Sequence, residues 1–181
     1  MRLFVALPLD ETMRDALCRA MEDLRAAGVR GRFSHRENLH LTLAFLGETP
    51  RLAQACRAVA GVEAPAFDLR LETFGLFRRQ EGSILWAGLT PSAPLLALQR
   101  QVAGRLADAG FVLENRPFSP HLTLARQAQL PGGRLPGAVQ LPRLSARADR
   151  VVLFESTRQN GRLVYLPRQT RTLAQPLEGT P

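Results

Sequence analysis

His40-Leu41-Thr42-Leu43 and His121-Leu122-Thr123-Leu124 are the same tetrapeptide, met twice at an offset of 81 in a chain of 181 residues. In a β-strand successive side chains point to opposite faces, so residues two apart share one face. That alternation predicts His40 and Thr42 on one face, with Leu41, Leu43 and Phe45 turned into a core. It likewise sets His121 and Thr123 together, with Leu122 and Leu124 behind them. Each strand then offers an imidazole and a hydroxyl about 7 Å apart, two rises of roughly 3.4 Å. The chain contains only three histidines, and two of them open these motifs. A duplication without function would keep the leucines more readily than both polar residues. His35 has no such motif and reads as an exposed or structural residue.

The same spacing extends outward as a repeat, and self-similarity decides architecture. It carries the apolar strand Leu3–Leu7 onto Ile84–Gly88. Asp10, a helix cap, falls on Pro91, one residue before the Ser92 cap, and Gly28 falls one residue short of Gly110. Met13, Leu17, Met21 and Leu24 mark the first helix, and Leu95, Leu98, Val102 and Leu106 its counterpart. Between the units, Thr49-Pro50 caps a further helix carrying Leu52, Ala55, Cys56 and Val59. Phe67–Phe77 and Ser83–Thr90 read as strands joined around Glu81-Gly82. Residues 131–142 are a Pro/Gly-rich loop. Arg150–Ser156 and Arg162–Leu166 pair around Asn160-Gly161, a hairpin signal. Residues 172–181 read as a frayed tail. The expectation is one domain over residues 1–181, built of two α+β lobes about a pseudo-twofold axis. A doubly wound parallel sheet is not expected.

Composition bounds the partners. An apolar content of 45% argues against a disordered chain, and two cysteines cannot staple one this long. No apolar run nears the roughly 20 residues that span a bilayer, and the short apolar start does not fit a signal peptide. These features predict a soluble cytoplasmic protein. The 24 basic residues, all arginine, against 16 acidic ones give a net charge of +8. Such an excess favours polyanions by attraction and counterion release. The arginines form no run, so a solvated surface and a nucleic-acid groove both fit.

The chemistry that suits two imidazoles and two hydroxyls is narrower. Histidine is a common metal ligand, but neither tetrapeptide contains an acidic residue and there is no His-Glu-x-x-His or cysteine cluster. Covalent catalysis has little support: Cys18 and Cys56 fall inside predicted helices, and no Gly-x-Ser-x-Gly occurs. In-line displacement at phosphorus fits better. One imidazole can take a proton from the attacking oxygen while the other gives one to the leaving oxygen. Threonine hydroxyls can donate to the non-bridging oxygens, where negative charge sits.

Paired His-x-Thr-hydrophobic motifs at this spacing resemble the mark of the two-histidine phosphoesterases. Their setting narrows the likeness. Leu3-Phe4-Val5-Ala6-Leu7, Glu37-Asn38-Leu39 before the first motif, and Arg116-Pro117-Phe118-Ser119-Pro120 before the second are similar to the RNA 2′,3′-cyclic phosphodiesterases, historically called 2′-5′ RNA ligases. So are Leu85-Trp86-Ala87-Gly88 and Leu153-Phe154-Glu155-Ser156. The likeness runs to about Leu166. It implies a bilobal fold of two antiparallel-sheet-plus-helix lobes around a positively charged cleft, with no metal and no cofactor. It implies hydrolysis of an RNA-terminal 2′,3′-cyclic phosphate to a 2′-phosphate, and reversible ATP-independent 2′-5′ ligation. By the same likeness His40 is the proton donor, His121 the proton acceptor, and Thr42 and Thr123 hold the phosphate. The partner is RNA with a cyclic phosphate end; no membrane or obligate protein partner is implied, and a monomer is expected.

Three further residues are candidates for substrate binding. Alternation puts Arg126 on the face opposite His121, unless the strand ends before it and lets it turn toward phosphate. Phe118 and Tyr165 could stack on a base, or pack in the core or at its rim. Two other functions remain open: a non-catalytic RNA-end-binding module, and a phosphodiesterase of small cyclic nucleotides.

Overall fold

The computed structural model describes residues 1–175. In chain order the elements are β1 (Arg2–Pro8), α1 (Glu11–Ala26), β2 (Arg30–Phe33), β3 (His40–Glu48), α2 (Leu52–Ala60), β4 (Phe67–Phe77), β5 (Ser83–Leu89), α3 (Ala93–Asp108), β6 (His121–Gln129), β7 (Ser145–Ala148), β8 (Arg150–Gln159) and β9 (Arg162–Thr172). Single 3-10 turns lie at Arg36–Asn38 and Pro131–Gly133.

Local chemistry accounts for the helices. Asp10 accepts a hydrogen bond from the Met13 backbone N–H at 2.8 Å, which stabilises the start of α1 by about 1 kcal/mol. Met13, Ala16, Leu17, Ala20, Met21 and Leu24 give that helix its buried face. Ser92 caps α3 through the Leu95 N–H, with Leu95, Leu98, Val102 and Leu106 buried. The expected Thr49-Pro50 cap is displaced by a residue or two. Arg51 takes the N-cap position of α2, and its N–H bonds to the Thr49 hydroxyl.

Two antiparallel sheets result, ordered β3-β1-β8-β9 and β2-β6-β5-β4-β7. They match strand for strand: β3 with β6, β1 with β5, β8 with β4, and β9 with β7. The α+β bilobal expectation holds. The sheet pairings revise one offset, however. Pro8 lies opposite His40 and Gly88 opposite His121, so β1 maps onto β5 with an offset one shorter than that of the histidines. β2 breaks the symmetry. It belongs to the first unit but pairs with β6 of the second sheet, and the Ser34 hydroxyl just beyond it donates to the Thr123 carbonyl at 2.7 Å. Leu41, Leu43, Leu122 and Leu124 enter one continuous apolar core with Leu3, Leu17, Leu85 and Leu106.

β2 and β7 have no counterpart among the expected elements. The first residues of the expected frayed tail are instead held in the fold. Leu173 is buried and donates to the Asp149 carbonyl, and Ala174 bridges Pro65. Residues 176–181 of the expected tail lie outside the described residues. No helix among the described residues is long and apolar enough to cross a membrane.

Candidate active site

Each motif histidine is fixed by the same backbone device. A carbonyl only accepts, so the His40 Nδ1–H donates to the Asn38 carbonyl at 2.7 Å, and the His121 Nδ1–H to the Ser119 carbonyl at 2.7 Å. Asn38 and Ser119 are themselves related by the offset that relates the histidines. In both rings Nε2 is therefore the nitrogen left for chemistry.

The Asn38 carbonyl is well anchored. Arg36, in the turn before β3, bonds Glu11 at 2.6 Å and Asp15 at 2.7 Å on α1. The Arg36 guanidinium lowers the Glu11 carboxyl from its ordinary value. Asn38 Nδ2 donates to the Leu163 carbonyl of β9 at 3.0 Å. The turn is thus tied to a helix on one side and to the β8–β9 hairpin on the other.

The two imidazoles then diverge. The Thr42 hydroxyl donates to His40 Nε2 at 2.9 Å. Phe4 and Tyr165 enclose the ring, with centroids at 4.9 and 5.2 Å and Tyr165 meeting it edge-on. Burial among these aromatics pushes His40 down to about 4, and the positive charges of Arg126 and His121 add to the shift. At neutral pH free His40 is uncharged. Burial also holds the Tyr165 phenol above its ordinary value. His121 has Phe77 edge-on at 4.9 Å and Trp86 at 6.0 Å. Among the described residues its Nε2 has no hydrogen-bond partner.

Two candidates stand elsewhere than alternation put them. In β3 the register skips one residue between the Val5–Ala44 and Ala6–Thr42 pairs. In β6 it skips between Leu85–Ala125 and Trp86–Thr123. Each skip is a β-bulge: Leu43 with Ala44, and Leu124 with Ala125, are buried in succession, and the residues after them change face. Phe45 therefore leaves the core for the histidine face, where it is 51% exposed and 6.1 Å from the Phe4 ring. Arg126 comes onto the face of His121 and Thr123, close enough for its charge to act on His40 and Tyr165. Phe118 is half-buried and packs against the core. His35 is exposed, and Cys18 and Cys56 are free thiols in α1 and α2.

His40, Thr42, Tyr165, Phe45, His121, Thr123 and Arg126 so belong to one face pair, since β3 packs against β6. Phe45 is the residue that sequence reasoning missed. Its signal was the equivalence to Arg126 at the common offset of the two motifs.

A family model described as the 2'-5' RNA ligase superfamily matches residues 13–160. The RNA 2',3'-cyclic phosphodiesterase of Escherichia coli K12 is 33% identical, with 96% of this chain and 97% of that protein aligned. The protein of the same name from Geobacillus stearothermophilus is also 33% identical over 98% of this chain, which spans only 58% of that relative's length. Among solved structures, E. coli LigT complexed with 3'-AMP superposes at a TM-score of 0.81 and 30% identity, over 96% of this chain and 98% of that one. TT0787 of Thermus thermophilus does so at 0.77 and 28% identity, over 97% and 99%. With the family model covering most of its length and a relative a third identical from end to end, this chain belongs to the 2'-5' RNA ligase superfamily.

Proposed function

We propose that this protein hydrolyses the 2′,3′-cyclic phosphodiester at an RNA end to a 2′-phosphomonoester by paired-histidine acid–base catalysis. The observation that carries the reading is the matched pair of imidazoles, each with Nδ1 committed to a carbonyl and Nε2 left for proton transfer. Relatives named for this activity support it.

In the reaction a water oxygen attacks phosphorus and its proton passes to His121 Nε2. The bond from phosphorus to the 3′ oxygen breaks, and that oxygen takes a proton from His40 Nε2. The products are a 2′-phosphate and a 3′-hydroxyl, and the two histidines exchange their protons with solvent to reset. The open Nε2 supports His121 as the acceptor. His40, neutral in the free protein, gains its proton when the anionic phosphate arrives and offsets the burial that depresses it. Thr42 then turns its hydroxyl from Nε2 to a non-bridging oxygen, opposite Thr123. Arg126 balances the phosphate charge. The exposed ring of Phe45 offers a face for the terminal base, and Tyr165 closes the other side of His40.

A 5′-hydroxyl in place of water gives a 2′-5′ linkage without ATP, because one phosphate ester simply replaces another. No step calls for a metal or a cofactor. Both halves of the site come from one chain, which supports a monomer as the working unit; RNA as substrate supports action in the cytoplasm.

The test compares turnover of an oligonucleotide ending in a 2′,3′-cyclic phosphate with that of a cyclic mononucleotide. Faster conversion of the oligonucleotide is expected. Preference for the mononucleotide would point to a small-nucleotide phosphodiesterase, and tight binding without turnover to an end-binding module.

A further inference from the structure

Trp86 stands in the middle of the second sheet, paired with Thr123 of β6 on one side and Gly75 of β4 on the other. Cross-strand partners share a face, so the indole lies on the face of His121. Two glycines make room for it. A Cβ at Gly75 would come 2.0 Å from Cη2 and 2.1 Å from Cζ2 of the indole, and one at Gly88 would come 3.1 Å from Cζ3. Gly88 is itself the partner of His121. The indole Nε1 is buried and has no hydrogen-bond partner among the described residues. Shape alone, then, sets the orientation of this ring.

His121 needs such a support more than His40 does. His40 is held at both nitrogens, by Asn38 and Thr42. His121 is held at Nδ1 only, and a ring with one hydrogen bond can still swing about it. Phe77 and Trp86 limit that swing, Phe77 edge-on to the imidazole and Trp86 tilted by 56°, with 5.2 Å between their own centroids. Ala6 stands in the equivalent place of the first sheet, opposite Thr42, so support from this position belongs to the second motif alone.

We propose that Trp86, seated in the notch of Gly75 and Gly88, is the positioning residue for His121 and holds its Nε2 toward the phosphate. The proposal rests on the reading of His121 as the proton acceptor.

Gly75→Ala, Trp86→Phe and the double variant test it, because phenylalanine lacks the outer ring atoms that a methyl at position 75 would meet. A displacement of about 1 Å at a reacting group costs on the order of 10²-fold in rate. Gly75→Ala is expected to lower kcat by about 10- to 100-fold with KM within about twofold. In the Trp86→Phe background the same change is expected to cost little, which is strong coupling between contacting residues. The ring-proton resonance of His121 is expected to move in Gly75→Ala while that of exposed His35 stays. Gly88→Ala, a milder intrusion that meets the same ring at 3.1 Å and the Thr73 carbonyl at 3.2 Å, serves if Gly75→Ala does not fold. Wild-type kcat in the glycine variants, additive losses in the double variant, or an unmoved His121 resonance would overturn the proposal. Full activity in His121→Ala would instead overturn the reading beneath it.

Discussion

Phe45 and Arg126 occupy equivalent positions in the two motif strands, each turned onto the histidine face by a β-bulge just after the motif threonine. One equivalent place thus carries an aromatic ring in the first lobe and a cation in the second. The difference suits a substrate with a base on one side and a phosphate on the other. Arg126→Ala is expected to lower kcat/KM by about 10²-fold, the scale of one donor to a charged transition state, and Arg126→Lys to recover part of it. Phe45→Ala is expected to raise KM by about 5- to 160-fold with kcat nearly kept, since stacking is worth about 1–3 kcal/mol per base. Steady-state kinetics on a cyclic-phosphate oligonucleotide would show whether the two losses separate in this way.

Thr42 and Thr123 should differ in what their loss does. Thr42 bonds His40 Nε2 in the free protein, whereas His121 has no such bond. Thr123→Val should reduce kcat alone, by about 10²-fold for one lost donor. Thr42→Val should do the same and also move the ring-proton resonance of free His40, which loses its partner at Nε2. NMR of the three histidine rings reads that change directly.

The burial of His40 has a consequence for pH. Its folded value, about 4, lies below the ordinary value of 6.5, so the unfolded chain binds a proton that the folded chain refuses. Stability is therefore whole above pH 6.5 and falls as the pH drops toward 4, by about 3 kcal/mol at most. Urea titrations at pH 7.5 and 4.5 should show the fall in wild type and a smaller one in His40→Gln. His40 must be protonated to act as the donor, so it sets the limb on which kcat/KM falls as the pH rises. The limb of kcat should lie higher, since bound phosphate raises His40. Coincident limbs would argue against phosphate contact at His40.

Ser34 and β2 join the lobes beside Thr123. Ser34→Ala removes one hydrogen bond and should cost about 1 kcal/mol by urea denaturation. Leu124→Ala, at a buried bulge residue, should cost about 3 kcal/mol. A negligible loss at Leu124 would argue against the bulge packing that exposes Arg126.

The four motif residues, the helices and the doubling were legible because periodicity, caps and an identical tetrapeptide are local signals. The bulges were not. Leu43-Ala44-Phe45 and Leu124-Ala125-Arg126 alternate on paper, and nothing in them announces an extra residue that only the partner strand reveals. For the same reason alternation puts Phe45 in the core and Arg126 behind the sheet. Arg30–Phe33 and Ser145–Ala148 escape a reading by pattern because one has no buried residue and the other buries only alanines. Their strand state comes from the sheet edges they join. The role of Trp86 also lies outside local patterning, since it depends on a glycine of another strand.

The central claim is that His40 and His121 together open a cyclic phosphate, and one measurement meets it directly. RNA ending in a 2′,3′-cyclic phosphate is incubated in excess EDTA with wild type, His40→Ala and His121→Ala, and the terminal phosphate of the product is identified. Wild type is expected to form a 2′-phosphate and each variant to lose at least about 10²-fold in rate, the lower bound for one lost proton transfer. Full activity in either folded variant, or loss of wild-type activity with the chelator, would contradict it.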